Sequence, residues 1–329
     1  MTARAAVTGA SGFFGRALEA RWAPRAQLRG LFRRRTALSD AWQARGHEVV
    51  IGDLDDEAAL AALVAGADVV YHCAARMRKD DPVASRRVNV LGTERLARAA
   101  GAAGVPRLVY VSSISVYSAT RPPPPGHTVT EAVEPQNLDR LNPYSATKYA
   151  GEVVVRGLAS RGEGPAVTIV RPTNVYGPWA RSWFLDWARR LERLPVVIGG
   201  NVPIDVVHVD DVAAALILAG ESAAAANETL HLGHETITLR DFVALVGQVV
   251  DRKVWRLPAG ADYLARLLVE RLYRLAKGTC MSMSLTRPIR YPHTRAQQLI
   301  GYEPRIRLEE GFAGLAEWYR HTYLAGAQP

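Results

Sequence analysis

Cysteine is nearly missing from this chain: its 329 residues include two, Cys73 and Cys280. Thiols so far apart in sequence make neither a disulfide framework nor a thiolate metal site. His208 precedes Asp210 and Asp211, but no further ligands follow at a suitable spacing, so no metal is expected. No run of about 18 apolar residues occurs, which excludes a spanning helix. The chain runs at once into the strand-like Ala5-Ala6-Val7, leaving no room for a signal peptide, and a cytoplasmic location is the expectation. Lysine is also scarce, with only Lys79, Lys148, Lys253 and Lys277 among 41 basic residues. The net charge of +9 is therefore carried by arginine, scattered except at Arg33-Arg34-Arg35. That pattern argues against nucleic acid as a partner and leaves a weak attraction for small anions, phosphates above all.

The length suits one nucleotide-binding domain with a smaller appendage. In the first half, short apolar runs alternate with helix-period segments. The runs are Ala5–Thr8, Gln27–Phe32, His47–Ile51, Asp68–Cys73, Arg107–Ser112 and Val167–Arg171. The helical stretches are Phe13–Trp22, Thr36–Arg45, Glu57–Ala65, Val83–Ala103 and Tyr144–Ser160. Strands this apolar are buried on both faces, which means a parallel sheet. Their alternation with helices predicts an α/β fold, a Rossmann-type doubly wound sheet. The nucleotide-binding domain is expected over 1–172, with Ile204–Val209 and Thr229–Leu232 returning to its sheet in the segment 204–233. A mostly helical substrate domain is expected over 173–203 and 234–329, with Trp179–Arg193, Thr238–Val250 and Asp262–Ala276 as stretches that cover the substrate. Pro122–Pro125 reads as an extended loop.

Directly after the first strand comes Gly9-Ala10-Ser11-Gly12-Phe13-Phe14-Gly15-Arg16, opening the first helix. Glycines there allow a tight turn and a close approach of backbone to a pyrophosphate, and the helix amino terminus adds free N–H groups. Gly9, Ser11, Gly12, Phe13, Phe14 and Gly15 are therefore candidate cofactor contacts, with the acidic Asp53 ending the third strand. The second strand ends in Phe32-Arg33-Arg34-Arg35 and has no acid to accept ribose hydroxyls. Guanidinium forks match a phosphate bidentately, so Arg33 and Arg34 point to NADP(H), with NAD(H) as the alternative.

Tyr144 and Lys148, four apart in a helical stretch, lie on one face. A free tyrosine titrates near ~10. A fixed ammonium beside it is expected to stabilise the phenolate and bring it toward the working range. Ser113, at the end of the fifth strand, is placed to hydrogen-bond the substrate oxygen. Strand alternation puts Ser115 on the same side and Ser112 on the other, so Ser115 is the second choice.

The spacing Gly-x-x-Gly-x-x-Gly resembles the short-chain dehydrogenase/reductase superfamily, in its extended branch of NAD-dependent epimerases and dehydratases, with hydroxysteroid-dehydrogenase-like features. The resemblance continues through Gly52-Asp53-Leu54, His72-Cys73-Ala74-Ala75, Asn89-Val90-Leu91-Gly92-Thr93, Ser112-Ser113, Tyr144-x-x-x-Lys148, Arg171-Pro172-Thr173-Asn174-Val175-Tyr176-Gly177-Pro178 and Val207-His208-Val209-Asp210-Asp211-Val212. It implies that Asp53 and Leu54 sit against the adenine ring and that Ala74 and Ala75 line the dinucleotide path. It also implies that Ser112, Pro172 and Asn174 meet the cofactor and that Lys148 holds the nicotinamide ribose. Asn89 reads either as a cofactor contact or as a brace for a neighbouring strand. The family reading makes His208 structural and Asp210 the cap of the next helix, and it implies a homodimer through the helices around Val83–Ala103 and Tyr144–Ser160.

Two reactions share this machinery. A reductase or dehydrogenase passes hydride between cofactor and substrate. A nucleotide-sugar epimerase takes the hydride and returns it, keeping its cofactor. Members of the second kind usually hold the diphosphate with an arginine four residues ahead of the His or Tyr of the Val-His-Val segment. Here that position is Ile204, although Arg290 remains as a source of charge. Trp179, Trp183, Phe184 and Trp187 recur at helical spacing and read either as core or as an apolar pocket wall. As pocket wall, Trp179 and Trp183, with Ser115 and Asn174, would meet the substrate. The expectation is an NADPH-dependent reductase of a hydrophobic ketone, or the reverse oxidation of its alcohol. The alternatives are an epimerase or dehydratase with retained NAD, and a non-catalytic NADP-binding sensor. The helix Tyr263–Leu275 fits a lid, a dimer face or a membrane-surface contact.

Overall fold

The computed structural model describes residues 4–22, 27–77, 81–118, 128–198, 200–256 and 289–326, with isolated positions between 260 and 271. Six strands alternate with helices along the first half: β1 (Ala5–Thr8), β2 (Leu28–Phe32), β3 (Glu48–Ile51), β4 (Val69–His72), β5 (Arg107–Val111) and β6 (Ala166–Pro172). Between and after them lie α1 (Phe13–Trp22), α2 (Ala37–Ala44), α3 (Glu57–Val64), α4 (Pro82–Arg86), α5 (Gly92–Ala102) and α6 (Pro143–Ser160). The second half adds β7 (Asn174–Tyr176), β8 (Val196–Val197), β9 (Pro203–His208), β10 (Thr229–Leu232), β11 (Glu235–Thr238) and β12 (Trp255–Arg256). Its helices are α7 (Asp186–Arg193), α8 (Val209–Glu221), α9 (Leu239–Val249), α10 (Thr294–Ile300) and α11 (Leu308–Trp318).

The main sheet has seven parallel strands in the order β10-β6-β5-β4-β1-β2-β3. This is the doubly wound Rossmann-type α/β arrangement read from the sequence. The strand order reverses between β1 and β4, and such a switch point opens the crevice where these sheets take ligands. Apolar clusters cover both faces. One joins Leu18, Trp22, Val212 and Leu216 to the strands, and the other joins Leu60, Leu96, Val155 and Leu158.

Local chemistry explains the element ends. Thr36 caps α2 with a reciprocal bond to Ser39, Asp56 caps α3, and Asn142 caps α6 ahead of Pro143. Between α4 and α5 the helix widens into a π turn at Arg87–Leu91. No helix among the described residues is long and apolar enough to cross a membrane.

The structure corrects three readings. Of the two segments expected to return to the main sheet, only β10 does so. β9 instead pairs with β7 and, antiparallel, with β11 in a separate three-stranded sheet. Its Ile204 and Val206 face a second core with Phe242, Phe312 and Leu315, and burying them there decides the pairing. The helical spacing of Trp179, Trp183, Phe184 and Trp187 does not mark one regular helix: a π turn at Arg181–Leu185 precedes α7, and Trp179 lies outside both in a turn. The cap of α8 is His208, whose Nδ1 accepts from the Asp210 amide at 3.2 Å, while Asp211 receives the Arg305 and Ile306 amides. Most of Asp262–Ala276, all of Pro122–Pro125 and the residues Lys79 and Cys280 fall outside the described residues.

Candidate active site

Strands of the main sheet deliver the site residues to one edge. β1 leads into the glycine loop, where the Gly12 amide donates to the Gly9 carbonyl at 2.8 Å. Gly9 has φ +70°, and a Cβ there would stand 2.7 Å from the Ala74 amide nitrogen. A Cβ on Gly15 would stand 2.3 Å from the Gly9 carbonyl oxygen, so α1 can start here only on glycine. At Gly12 the imagined Cβ meets only the Gly9 carbonyl, at 3.1 Å, leaving the loop's outer face clear. Ser11 and Gly12 are exposed and no acidic residue occupies the first turn of α1. This cradle, with open N–H groups at a helix start and no competing carboxylate, fits a dinucleotide pyrophosphate.

Around the cradle, Ala74 stands against Gly9 and Leu54 packs under Gly92. Asp53 is exposed and turns its carboxylate to the Asp55 amide at 2.8 Å. Arg33 and Arg34 are exposed beyond β2 and make no ion pair among the described residues, whereas Arg35 pairs with Asp40. Pro172 ends β6 beside Leu232.

Ser113 and Tyr144 come together where β5 ends and α6 begins, with Lys148 one helical turn further along α6. The Ser113 side chain lies beside the Tyr144 hydroxyl, close enough to act on its acidity. Burial pushes Tyr144 up to about 12, and Ser113 pulls the other way. Lys148 is 2% exposed, with Nζ 4.2 Å from the Tyr110 ring centroid. Burial pushes it down to about 8, against the pull of Glu152 and Cys73. The expected fall in the tyrosine pKa is thus not found. Lys148 sits over Tyr110, and its charge answers to Glu152 instead. Below it, His72 bonds Thr8 at 2.6 Å and Thr93 at 2.8 Å, and burial drives it down to about 3, so it is neutral. Burial likewise pushes the Cys73 thiol up to about 12.

The serine assignment rests on different geometry from the expected alternation. β5 ends at Val111, and Ser113 caps a 3₁₀ turn over Ile114–Tyr117, accepting from the Ser115 amide at 3.1 Å. The Ser115 hydroxyl is buried without a hydrogen bond among the described residues. Ser112 turns the other way and donates to Glu152 Oε1 at 2.5 Å, so its hydroxyl is committed to the protein and not to a cofactor. Asn89 acts as the brace. Its side chain takes the Arg76 amide at 2.7 Å and donates to the Arg76 carbonyl and the Thr147 hydroxyl, at 3.0 and 2.9 Å. Asn174 donates to the Asp205 carbonyl at 2.8 Å, and Asp205 holds Arg290 and the Tyr291 amide. Trp183 meets Phe242 edge-on at 5.6 Å in the C-terminal core, and Trp179 meets Trp318 at 5.0 Å.

Sequence reasoning missed a buried polar chain behind the site. Glu152 accepts from Ser112 and pairs with Arg171, whose Nε stands 2.9 Å away, and both are essentially inaccessible. Arg171 also donates to Tyr117, whose hydroxyl lies 3.0 Å from His231 Nε2. A signal existed: Glu152 lies four residues beyond Lys148, hence on the same face of α6. No group of three or more His, Cys, Asp or Glu among the described residues is placed to hold a metal.

Comparison with known proteins matches this geometry to a family. The model of the NAD dependent epimerase/dehydratase family matches residues 5–233. A 2-alkyl-3-oxoalkanoate reductase of Stenotrophomonas maltophilia is 30% identical, over 94% of this chain and 97% of its own. A UDP-glucose 4-epimerase of Mycolicibacterium smegmatis is 31% identical, over 97% and 99%. Among solved structures, MoeE5 in complex with UDP-glucose and NAD is 25% identical and superposes with a TM-score of 0.74, covering 98% of this chain and 99% of that one. The chain belongs to the NAD-dependent epimerase/dehydratase family, and it is an enzyme of the extended short-chain dehydrogenase/reductase class.

Proposed function

We propose that this enzyme is an NADPH-dependent reductase of a ketone on a hydrophobic small molecule, running also as the dehydrogenase of the matching alcohol. The observation that carries the reading is Ile204. At the place where nucleotide-sugar enzymes of the family keep a diphosphate-holding arginine, this chain has an isoleucine 1% exposed and packed into the C-terminal core. A diphosphate would find no cation there. The reductase relative supports the same reading, while the epimerase relative keeps nucleotide-sugar chemistry as the competing one. The exposed Arg33 and Arg34 at the end of β2 support NADPH over NADH, since they can meet a 2′-phosphate and no acid opposes it.

A bound nicotinamide supplies the hydride, and the chain's own residues handle the oxygen and the proton. Ser113 donates a hydrogen bond to the substrate carbonyl. Tyr144, protonated at neutral pH, donates the proton to that oxygen as it becomes an alcohol. Lys148 keeps positive charge under the pair, with Glu152 supporting it. Ser115, with its buried free hydroxyl, is the second contact for a polar group of the substrate. Exposed Val83, Leu91 and Val153 on the helices flanking the site support a homodimer through them.

The test is to identify the nucleotide released on denaturing the fresh protein, and then to offer hydrophobic ketones with NADPH and follow its absorbance. An empty protein that consumes NADPH with a ketone supports the reading. Retained stoichiometric NAD with epimerase activity on a nucleotide sugar overturns it.

A further inference from the structure

The turn that follows β7 carries an unusual residue. The Ala180 amide donates to the Gly177 carbonyl at 3.2 Å, closing a β-turn with Pro178 and Trp179 at its centre. Trp179 has φ +70°. A turn with proline second and positive φ third asks for glycine or asparagine there. The other non-glycine residues of positive φ among those described are Asn137, Asn227 and Asp251, side chains that tolerate this region. A tryptophan does not, so something holds it.

Two contacts do. The Arg16 guanidinium carbon lies 4.1 Å from the Trp179 ring centroid, and Trp318 of α11 meets the ring edge-on from 5.0 Å. Arg16 immediately follows Gly15, and its Nε donates to the Ser11 carbonyl at 3.1 Å, which lays the guanidinium along the glycine loop. It is half-buried and has no ion pair among the described residues. Glu19 acts on it only from a distance and is itself paired with Arg45, so this cation, beside a cradle for a diphosphate, is left to meet an anion. Phe13 of the same loop also packs against the C-terminal core.

We propose that Arg16 is a counter-charge for the cofactor's pyrophosphate, and that Trp179 is the positioning residue that stacks on it and sets how long the cofactor stays. This rests on the dinucleotide reading of the glycine loop and adds a side-chain contact to its backbone cradle. The strained turn sets the Trp179 ring between Arg16 and Trp318.

The test measures NADPH binding and its dissociation rate by stopped-flow fluorescence, with melting temperature of the cofactor-free protein as a second readout. Arg16→Met is expected to speed dissociation roughly tenfold, the range of a partly desolvated cation's contacts. Trp179→Gly is expected to speed it by about fivefold although glycine relieves the turn and leaves the melting temperature of the cofactor-free protein unchanged or higher. Trp179→Phe, which keeps a ring, should stay near wild type. The double variant should be no faster than Arg16→Met alone, because Trp179 acts through Arg16. Unchanged dissociation in Trp179→Gly, or fully multiplicative effects in the double variant, overturns the proposal while leaving the dinucleotide reading intact. A wild-type protein that binds neither NADPH nor NADH overturns both.

Discussion

Replacing Lys148 by methionine should make this protein more stable while abolishing its chemistry. The ammonium is held in a buried site that depresses it from the ordinary lysine value of 10.5 to about 8, chiefly by loss of hydration. Each tenfold in proton affinity corresponds to about 1.4 kcal/mol, so holding Lys148 charged at neutral pH costs the fold about 3 kcal/mol. Losing the contact with the Tyr110 ring offsets about 1 kcal/mol of this. Glu152 keeps Arg171 as its partner and is not left unpaired. The net expectation for Lys148→Met at pH 7 is about 2 kcal/mol of added stability, or roughly 4 °C in Tm for a chain of this size. The pH dependence checks the sign. Between 8 and 10.5 the folded protein binds fewer protons at this position than the unfolded chain, so wild-type stability rises with pH across that window. The advantage of the variant is therefore full below pH 8 and gone above 10.5. Thermal melts of the cofactor-free proteins at pH 7 and pH 10, followed by circular dichroism, decide the matter. A variant that melts lower at pH 7, or a difference that does not shrink at pH 10, refutes the reasoning.

Tyr144→Phe should lower turnover by at least about 100-fold while NADPH affinity, measured by fluorescence titration, stays within a factor of two or so. Retained turnover would remove Tyr144 from the proton transfer. Arg33→Asp should weaken NADPH at least about tenfold and spare NADH. Equal losses for both would end the assignment of the 2′-phosphate to this loop. Glu152→Ala leaves Arg171 charged and buried without its partner, and should cost about 3–5 kcal/mol in chemical denaturation. The double change Glu152→Leu with Arg171→Met should recover most of that loss; if it does not, the pair is doing more than neutralising itself.

Parts of the site that depend on neighbours in sequence were legible without coordinates. The glycine loop declares itself because three glycines and a helix start must occupy consecutive turns. Tyr144 and Lys148 do so because one helical turn separates them. Parts that depend on long-range packing were not legible. Ser112 and Ser113 are adjacent, and alternation alone could not say that Ser112 would be claimed by Glu152, forty residues on. Asn89 could be read as contact or brace until the Arg76 backbone came to lie against it. Strand β9 has an apolar pattern that suits either sheet, and its partners β7 and β11 decided. Helical spacing puts Lys148 on the face of Tyr144 without saying where its flexible stem ends, over the Tyr110 ring. Gly177-Pro178-Trp179 held a readable clue, since proline there calls for a turn with an awkward third residue.

The buried chain from Ser112 to His231 has a consequence for how the enzyme is made. Residues 107–172 already contain Ser113, Tyr144 and Lys148, yet the last link, the ring against Tyr117, comes from β10, 114 residues after that tyrosine. β10 also covers the otherwise open edge of β6. A nascent chain leaving the ribosome therefore carries Ser113, Tyr144 and Lys148 well before it can hold them, with a bare parallel edge exposed meanwhile. The seven-stranded sheet is complete only when residues up to about Leu232 have emerged and docked. Truncation upstream of that point should give not a smaller nucleotide-binding unit but an aggregating one.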